Sequence, residues 1–548
     1  MMDELSASYT DLLDGSYDCM DRVVLRAYNP ICYEAGGFRH WWRQLCGSDE
    51  SLDDTHLIRM AGRFSRRVRG FAKAKGIPLI DCSKDERKHE IAEDYLREHP
   101  TVGGLFMILV ARAVAPVWQV QRSKNGKIRN IAQKRSYVNH YSFHIMDPDW
   151  GHLTIKMSGH PPFGAQVMLN GHEYVACQGA KQGLLFTKEG NCFTGIENVA
   201  ELVRVADTLS EDRTIGLLSQ LCDRWIYTAC LCFALDSDEQ ERTGFRYRYS
   251  VYQGEYSRNL IFQLGGQMEQ VLQGLVDRNR ARLDIRHLNT IFGAKRRPRY
   301  RKGSKAPRVG VVVEKPTYDL TVFKLHFGKL TLKVYAKGER VLRIEAITHN
   351  ARALRCGQVL EKFPAIVAAL RAMLERFLSV MHWVDAAFIA DDTLNQLPTP
   401  SQVGKARVGG VDVNTTRMRA VLAGVLALAP CPTGFTAGQL ATKVREITGQ
   451  TPEQYRTTQA AYDLKKLRGK NLVVKSGSSR RHDVHPEGVR TIAALSILRE
   501  QVLRPLIAAA QSPAPTSQLT IPRAIDDYYQ ALRTEMRGLF AHLHLAAA

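Results

Sequence analysis

The chain has 548 residues, 45% of them hydrophobic, and its 76 Lys and Arg outnumber 55 Asp and Glu to give a formal charge of +21. That length exceeds one ordinary core and implies about three or four domains, while the positive balance favours a polyanionic partner such as nucleic acid. The two most apolar stretches, Leu105–Trp118 and Ile215–Leu235, are interrupted by Arg112 and by Asp223-Arg224, which excludes a helical membrane span and a membrane partner. The polar start MMDELSASYTDLLDG lacks the apolar core of a secretory signal, and eleven cysteines without a Cys-x2-Cys pair are expected to be reduced, mostly buried thiols in a cytoplasmic protein rather than zinc ligands.

From Asp21 to Trp118 the pattern alternates helix and strand. Ile31–Leu45, with Trp41 and Trp42, and Leu57–Lys75 read as helices; Gly76–Cys82 reads as a buried strand, Asp85–Arg97 as a helix and Gly104–Ala111 as a second strand. A strand-helix-strand unit predicts parallel pairing, which places Asp81 and the charged run Lys84–Glu90 beyond a strand's carboxyl end. Trp118–Gln133 alternates around Asn125-Gly126, a hairpin signal, and Tyr137–Met157 supplies two strands joined by Asp147–Gly151. Five histidines fall between positions 140 and 172. Residues four apart on a strand are about 13 Å apart, too far to share an ion, although His144 and His152 could meet across the hairpin. Without a third ligand, a polar sheet surface facing RNA or DNA is the preferred reading.

Asn170–Ala180 and Asn198–Leu209 read as helices, Leu184–Phe193 as a hairpin around Glu189–Asn191, and Thr214–Leu235 as a long buried helix. In the stretch after it, Tyr247, Arg248 and Tyr249 head an alternation of aromatic and basic side chains that suits base stacking beside phosphate contacts, although an amphipathic edge strand has the same composition. The densest positive run, KRRPRYRKGSK, offers Lys295, Arg296, Arg297, Arg299, Arg301 and Lys302 as phosphate contacts in an exposed loop.

Thr321–Asn350 reads as three strands, TVFKLHF, LTLKVYA and VLRIEAITH. The pattern Lys333-x-Tyr335-x-Lys337-Gly338, a short turn and Leu342-Arg343-Ile344-Glu345 resembles the palm strands of replication initiator proteins of plasmids and filamentous phages. That resemblance implies a tyrosine that attacks a phosphate, with Tyr335 inside the motif and Tyr247, Tyr249, Tyr252 and Tyr256 in the aromatic-basic stretch as candidates, Arg343 as a phosphate contact with Lys337 nearby, and Glu345 as ligand to a Mg or Mn ion; without catalysis no cofactor is expected. It departs from the family in having no His-hydrophobic-His pair nearby, since His542-Leu543-His544 lies at the far end. An ordinary ribbon with Lys337 and Glu345 paired across its strands has the same pattern.

Phe363–Phe388 reads as a long amphipathic helix, and Leu397–Gly410, with two prolines and three glycines, as a linker. Beyond it, Thr436 with Gln439 and Thr451 with Gln454 have capping-box spacing and predict two helix starts, followed by the extended Leu472–Lys475, a Ser476–Ser479 turn and Arg480–His485. Helix, turn, helix and two-stranded wing resemble a winged-helix DNA-binding domain over roughly Thr415–Glu500. On the second helix Tyr455, Thr458, Gln459, Tyr462 and Lys466 are the candidates for base edges and phosphates, with Arg480 and Arg481 on the wing. Protein docking is the other use of such a domain. The chain as a whole resembles bacterial proteins ending in a winged helix, which implies no activity.

The expected class is α+β: a multidomain mixed α/β body with antiparallel sheets and a C-terminal winged helix-turn-helix. Its expected divisions are 1–118 (α/β), 119–350 (sheet-containing body), 351–396 (connecting helix), 397–410 (linker), 411–505 (winged helix) and 519–548 (terminal helix, a surface for homodimerisation). The expected function is a nucleic-acid-binding protein of a mobile element or plasmid, with duplex DNA on the winged helix and structured DNA or RNA on the body. Metal-dependent nicking is its enzymatic form. A ribonucleoprotein component and a dimeric transcriptional regulator are the alternatives.

Overall fold

A computed structural model describes residues 3–83, 88–282, 291–292, 309–315, 322–385 and 392–499, with short helical pieces at 527–528, 531–532 and 534–535. The basic run Lys295–Lys305, with its six candidate residues, the polar break 511–518 and most of the proposed terminal helix lie outside these residues. The fold is α+β, and the chain divides into two compact units: Thr10–Leu272 with Thr290–Leu374, and Met1–Tyr9 with Gln273–Asn289 and Glu375–Ala548.

The strands, in chain order, are β1 (Leu13–Tyr28), β2 (Leu79–Asp81), β3 (Gly104–Arg122), β4 (Ile128–Asp147), β5 (Gly151–Ser158), β6 (Ala165–Asn170), β7 (Phe186–Lys188), β8 (Phe193–Ile196), β9 (Arg248–Phe262), β10 (Ile291–Phe292), β11 (Val309–Lys315), β12 (Val322–Phe327), β13 (Leu330–Lys337), β14 (Val341–Thr348), β15 (Ser401–Val403), β16 (Ala406–Val408), β17 (Phe435–Thr436), β18 (Val473–Lys475) and β19 (Arg481–Val484). Twelve of them form the sheet of the first unit, in the order β10-β11-β12-β13-β14-β9-β1-β6-β5-β4-β3-β2. Position 118, expected to end a domain, falls inside β3. The parallel pair expected from the strand-helix-strand unit is present as β2 on β3.

The sequence reading begins its pattern only at Asp21 and so misses most of β1, although β1 lies between β6 and β9 in the sheet. Val23 and Val24 supply β-branched residues, and residues on both faces are buried, so the strand shows no clean alternation. The aromatic-basic stretch opens β9 and there pairs with β1 alone, as the edge-strand alternative expects; β14 joins the other side of β9 only from Gly254 onward, and Ser250 makes an isolated bridge to Val359. Lys337 faces Val341; the cross-strand partner of Glu345 is Lys333.

In the second unit, four helices surround a sheet of order β17-β19-β18. With α1 (Gly171–Lys181), α2 (Arg213–Ala229) and α3 (Phe363–Asp385) preceding them in the chain, these are α4 (Thr416–Leu428), α5 (Ala437–Thr448), α6 (Thr457–Gly469) and α7 (Pro486–Ile497). The Thr436–Gln439 capping box forms as expected. The second expected start does not: Thr451 and Gln454 close only a turn, and α6 begins at Thr457, capped by Gln459 reaching back to the Arg456 N–H at 2.7 Å. The expected linker Leu397–Gly410 contains the hairpin β15–β16, which packs on α6.

Leu25 is wholly buried in β1, whereas Val114 on β3 is 41% exposed. Leu25→Ala is expected to lower the unfolding free energy by about 3 kcal/mol and Val114→Ala by less than about 0.5, as denaturant titration will show.

Candidate functional site

The first unit carries a polar cluster on one face of its sheet, and a β-bulge creates part of it. The register between β1 and β9 jumps from Met20↔Tyr256 to Val23↔Gly254, so Asp21 and Arg22 stand opposite the single residue Glu255. A bulge re-aims side chains. Across four strands, Tyr335, Arg343, Asn259 and Tyr17 form one row, and Lys333, Glu345, Ser257 and Cys19 the next.

Arg343 is fully buried and its donors are met on several sides. Nη1 donates to Asp21 Oδ2 at 2.9 Å, Nε to Asn259 Oδ1 at 2.6 Å and Nη2 to the Asn191 carbonyl at 2.6 Å. Glu345 Oε1 lies 3.8 Å from Nη1. Asn191 Nδ2 donates to Asp21 Oδ1 at 2.7 Å. His172 enters from the first turn of α1, where Asn170 caps the helix by accepting its N–H at 2.8 Å. Gly171 makes that approach possible, because a Cβ there would lie 2.0 Å from the Met20 carbonyl oxygen. His172 Nδ1 then sits 3.5 Å from Asp21 Oδ1, and its Nε2 lies 3.4 Å from both the Tyr17 hydroxyl and Arg343 Nη2.

Burial lowers the pKa of His172 more than Asp21 raises it, so the imidazole is neutral; Nε2 then accepts and Nδ1–H points at Asp21. Burial alone would raise Asp21, but the facing His172, the Arg343 charge and the Asn191 hydrogen bond hold its carboxyl well below the usual range. Arg343 stays charged despite burial because Asp21 faces it.

Toward the half-buried rim, Glu345 accepts a hydrogen bond from the Tyr335 hydroxyl and one from Lys333 Nζ at 3.1 Å. Burial, then the Glu345 charge, raise the Tyr335 phenol well above its ordinary value. Burial also pushes Glu255 up to about 7, Lys333 opposing the shift and Glu345 adding to it. Tyr335, Arg343 and Glu345 are thus brought together as the sequence suggested, with Lys337 two residues along the same face of β13. The sequence missed Asp21, Glu255, His172 and Lys333; Lys333 was legible only as part of the Lys-x-Tyr-x-Lys pattern.

This donor set does not fit the Mg or Mn that the initiator resemblance implies. Both Glu345 oxygens and both Asp21 oxygens are occupied by side-chain donors, and no group of three metal-ligating residues occurs among the described residues. In the histidine-rich hairpin His144 is buried, with Nδ1 3.1 Å from His152 Nε2, and burial pushes its pKa down to about 3, whereas His140 and His152 are half-buried.

The other candidates separate into scaffold and surface. Tyr247 is buried and its hydroxyl donates to the Phe163 carbonyl at 2.5 Å, so it is a core residue rather than a stacking surface; Arg248 is exposed, and Tyr249 is half-buried with its hydroxyl on Asp223 at 2.6 Å. In the second unit Tyr455 is also a core residue, donating to Asp463 at 2.8 Å, while Arg417 bonds the same carboxylate with both Nε and Nη2 at 3.0 Å. Gln459 is spent on its cap, and Arg481 bonds Thr433 and Gly434.

Tyr462 and Lys466 lie beside the β15–β16 hairpin. The Gly409 N–H donates to the Tyr462 hydroxyl at 3.4 Å, Lys466 stands 5.3 Å from the Tyr462 ring, and a Cβ on Gly469 would come within 2.7 Å of Ser401 Cβ. The stripe left open on α6 is Thr458, Ala461, Lys465 and Arg468, at i, i+3, i+7 and i+10. Arg468 and Lys475 both lower the pKa of His482, after burial, so this stripe continues onto the β18–β19 ribbon.

Compared with protein-family models, curated proteins and solved structures, the chain matches none.

Glu255 supplies a pH test. Its raised pKa means the folded state binds a proton more tightly than the unfolded state, so its stabilising contribution is complete below the ordinary value of 4.5 and is lost as pH rises through about 7. Glu255→Gln is expected to gain thermal midpoint relative to wild type between about pH 5 and about pH 8, read by calorimetry.

Proposed function

We propose that this chain is a nucleic-acid-binding protein whose second unit docks on duplex DNA through α6 and the wing. The observation that carries the reading is the stripe Thr458, Ala461, Lys465 and Arg468, continued by Lys475 and the exposed Arg480. Among the described residues none of these four cations has an ion-pair partner, whereas Arg417 and Arg376 are each committed to an aspartate. Unpaired cations on one side of a helix and an adjoining turn suit phosphates along a groove, and threonines near the helix start suit base edges. Tyr455, Gln459 and Arg481 leave the proposed contact set because their side chains hold the unit together.

The combined Lys465→Ala, Arg468→Ala and Lys475→Ala variant is expected to bind duplex DNA roughly 10-fold or more weakly and to lose about 2 to 3 from the slope of log affinity against log salt. Fluorescence anisotropy across a salt series measures both quantities. An unchanged slope would sink the docking surface, and Lys466→Ala, beside the hairpin, is expected to change little.

The Tyr335–Glu345 contact favours a second reading, in which the body also breaks a phosphodiester. The Tyr335 hydroxyl oxygen would attack phosphorus as Glu345 takes its proton; a phosphotyrosyl bond forms, the bond from phosphorus to the sugar oxygen breaks, and Glu255 returns a proton to the leaving oxygen. Lys333, Lys337 and Arg343 supply positive charge on that face. This reading expects covalent protein–DNA product on single-stranded or supercoiled DNA, lost in Tyr335→Phe, when reactions with Mg, with Mn and with chelator are resolved by denaturing electrophoresis. No adduct under any of the three conditions would leave the cluster a structural one.

A further inference from the structure

We infer that a cavity of about 880 Å³ in the first unit, where the end of β1 meets the start of β9, takes an unpaired nucleotide from a single strand. This rests on the nucleic-acid reading above but concerns a different unit and a different ligand form. The walls come from separate places in the chain. Tyr28 ends β1 opposite Arg248 of β9, Arg246 precedes that strand, and α2 contributes Asp223 and Tyr227, with Tyr249 completing the aromatic lining.

Each wall has a recognisable chemical part. Arg246 and Arg248 are exposed, and neither has an ion-pair partner among the described residues, so their guanidinium groups are open to a phosphate. Tyr28, Tyr227 and Tyr249 are half-buried aromatic rings, suited to lie against a base. Two are fixed by their hydroxyls: Tyr249 donates to Asp223 at 2.6 Å, and Tyr227 accepts the Tyr247 N–H at 2.9 Å. Rings held in place lose little freedom on binding, which favours stacking. The carboxylates of Asp223 and Glu361 line the same cavity and can accept from an exocyclic amine or a ribose hydroxyl. A cavity of this size lies within the range of roughly 300–1,000 Å³ typical of small-molecule sites and matches one or two nucleotides rather than a duplex. Tyr247, the buried member of the sequence motif, also lines the cavity.

The test uses the full chain and labelled oligonucleotides of about eight residues, oligo-dT and oligo-U, whose comparison separates DNA from RNA. The double variant Arg246→Ala/Arg248→Ala is expected to lose roughly 10-fold or more in single-strand affinity while duplex affinity stays within about twofold. Both side chains are exposed, and a circular dichroism melt checks that the fold is kept. In parallel, wild-type protein is photocrosslinked to a 5-bromouridine-substituted oligonucleotide, and adducts are expected on Tyr28, Tyr227 or Tyr249. Equal single-strand binding by the double variant, or adducts only outside the cavity, overturns the site. Wild type that binds duplex but neither oligonucleotide overturns the site and leaves the docking of the second unit standing; wild type that binds neither form removes both readings.

Discussion

Arg343 is the constraint around which the first unit is built. A guanidinium without access to water must find acceptors inside the protein, and its cost in their absence is large enough to unfold a domain. Asp21, Asn259 and the Asn191 carbonyl meet it from three separate parts of the chain, and Glu345 and His172 lie close by. Strand β1, strand β9, strand β14, the loop before β8 and the start of α1 are therefore held in one arrangement by a single side chain. The bulge at Asp21 and the missing side chain at Gly171 are the local departures from regular geometry that let this happen.

That cluster is graded from closed to open. At the Arg343 end the charges are compensated and buried. At the Tyr335 and Lys333 end they are half-exposed, and Glu255 and Tyr335 hold protons that their surroundings make difficult to release. Perturbed groups beside a partly open rim are where proton transfer is most easily arranged. The second unit uses the same device on a smaller scale: Asp463, buried on α6, is bonded by Tyr455 and Arg417, which fixes α6 against α4. Tyr335 and Tyr455, which the sequence offers as functional contacts, are each held by a hydrogen bond from the hydroxyl to a buried carboxylate.

Much of the local structure was legible. The Thr436–Gln439 capping box, the Asn125-Gly126 hairpin, the meander of β12, β13 and β14, and the parallel β2–β3 pair all follow from short-range signals, because caps, turns and alternation are decided by neighbours in sequence. Strand β1 was not legible, since a strand buried on both faces with a bulge in its middle has no alternating pattern. Nor was the β15–β16 hairpin, whose prolines and glycines read as a linker until α6 is seen to cover it. The roles of Tyr247 and Tyr455 were misread for a related reason: an aromatic with a polar tip suits a groove or a core equally well, and only burial separates the two.

By itself, then, the sequence determined the α+β class, the positive balance that favours a polyanion, and the presence of Tyr335, Arg343 and Glu345 on one short ribbon. Tertiary structure alone decided what those residues face. It set Glu345 opposite Lys333 rather than Lys337, brought Asp21 and His172 to Arg343 from positions more than 150 residues away, and turned one stripe of α6 outward and another toward a hairpin. The physical reason is that periodicity fixes which residues share a face of a helix or strand, whereas register, bulges and the packing of distant elements fix what that face meets.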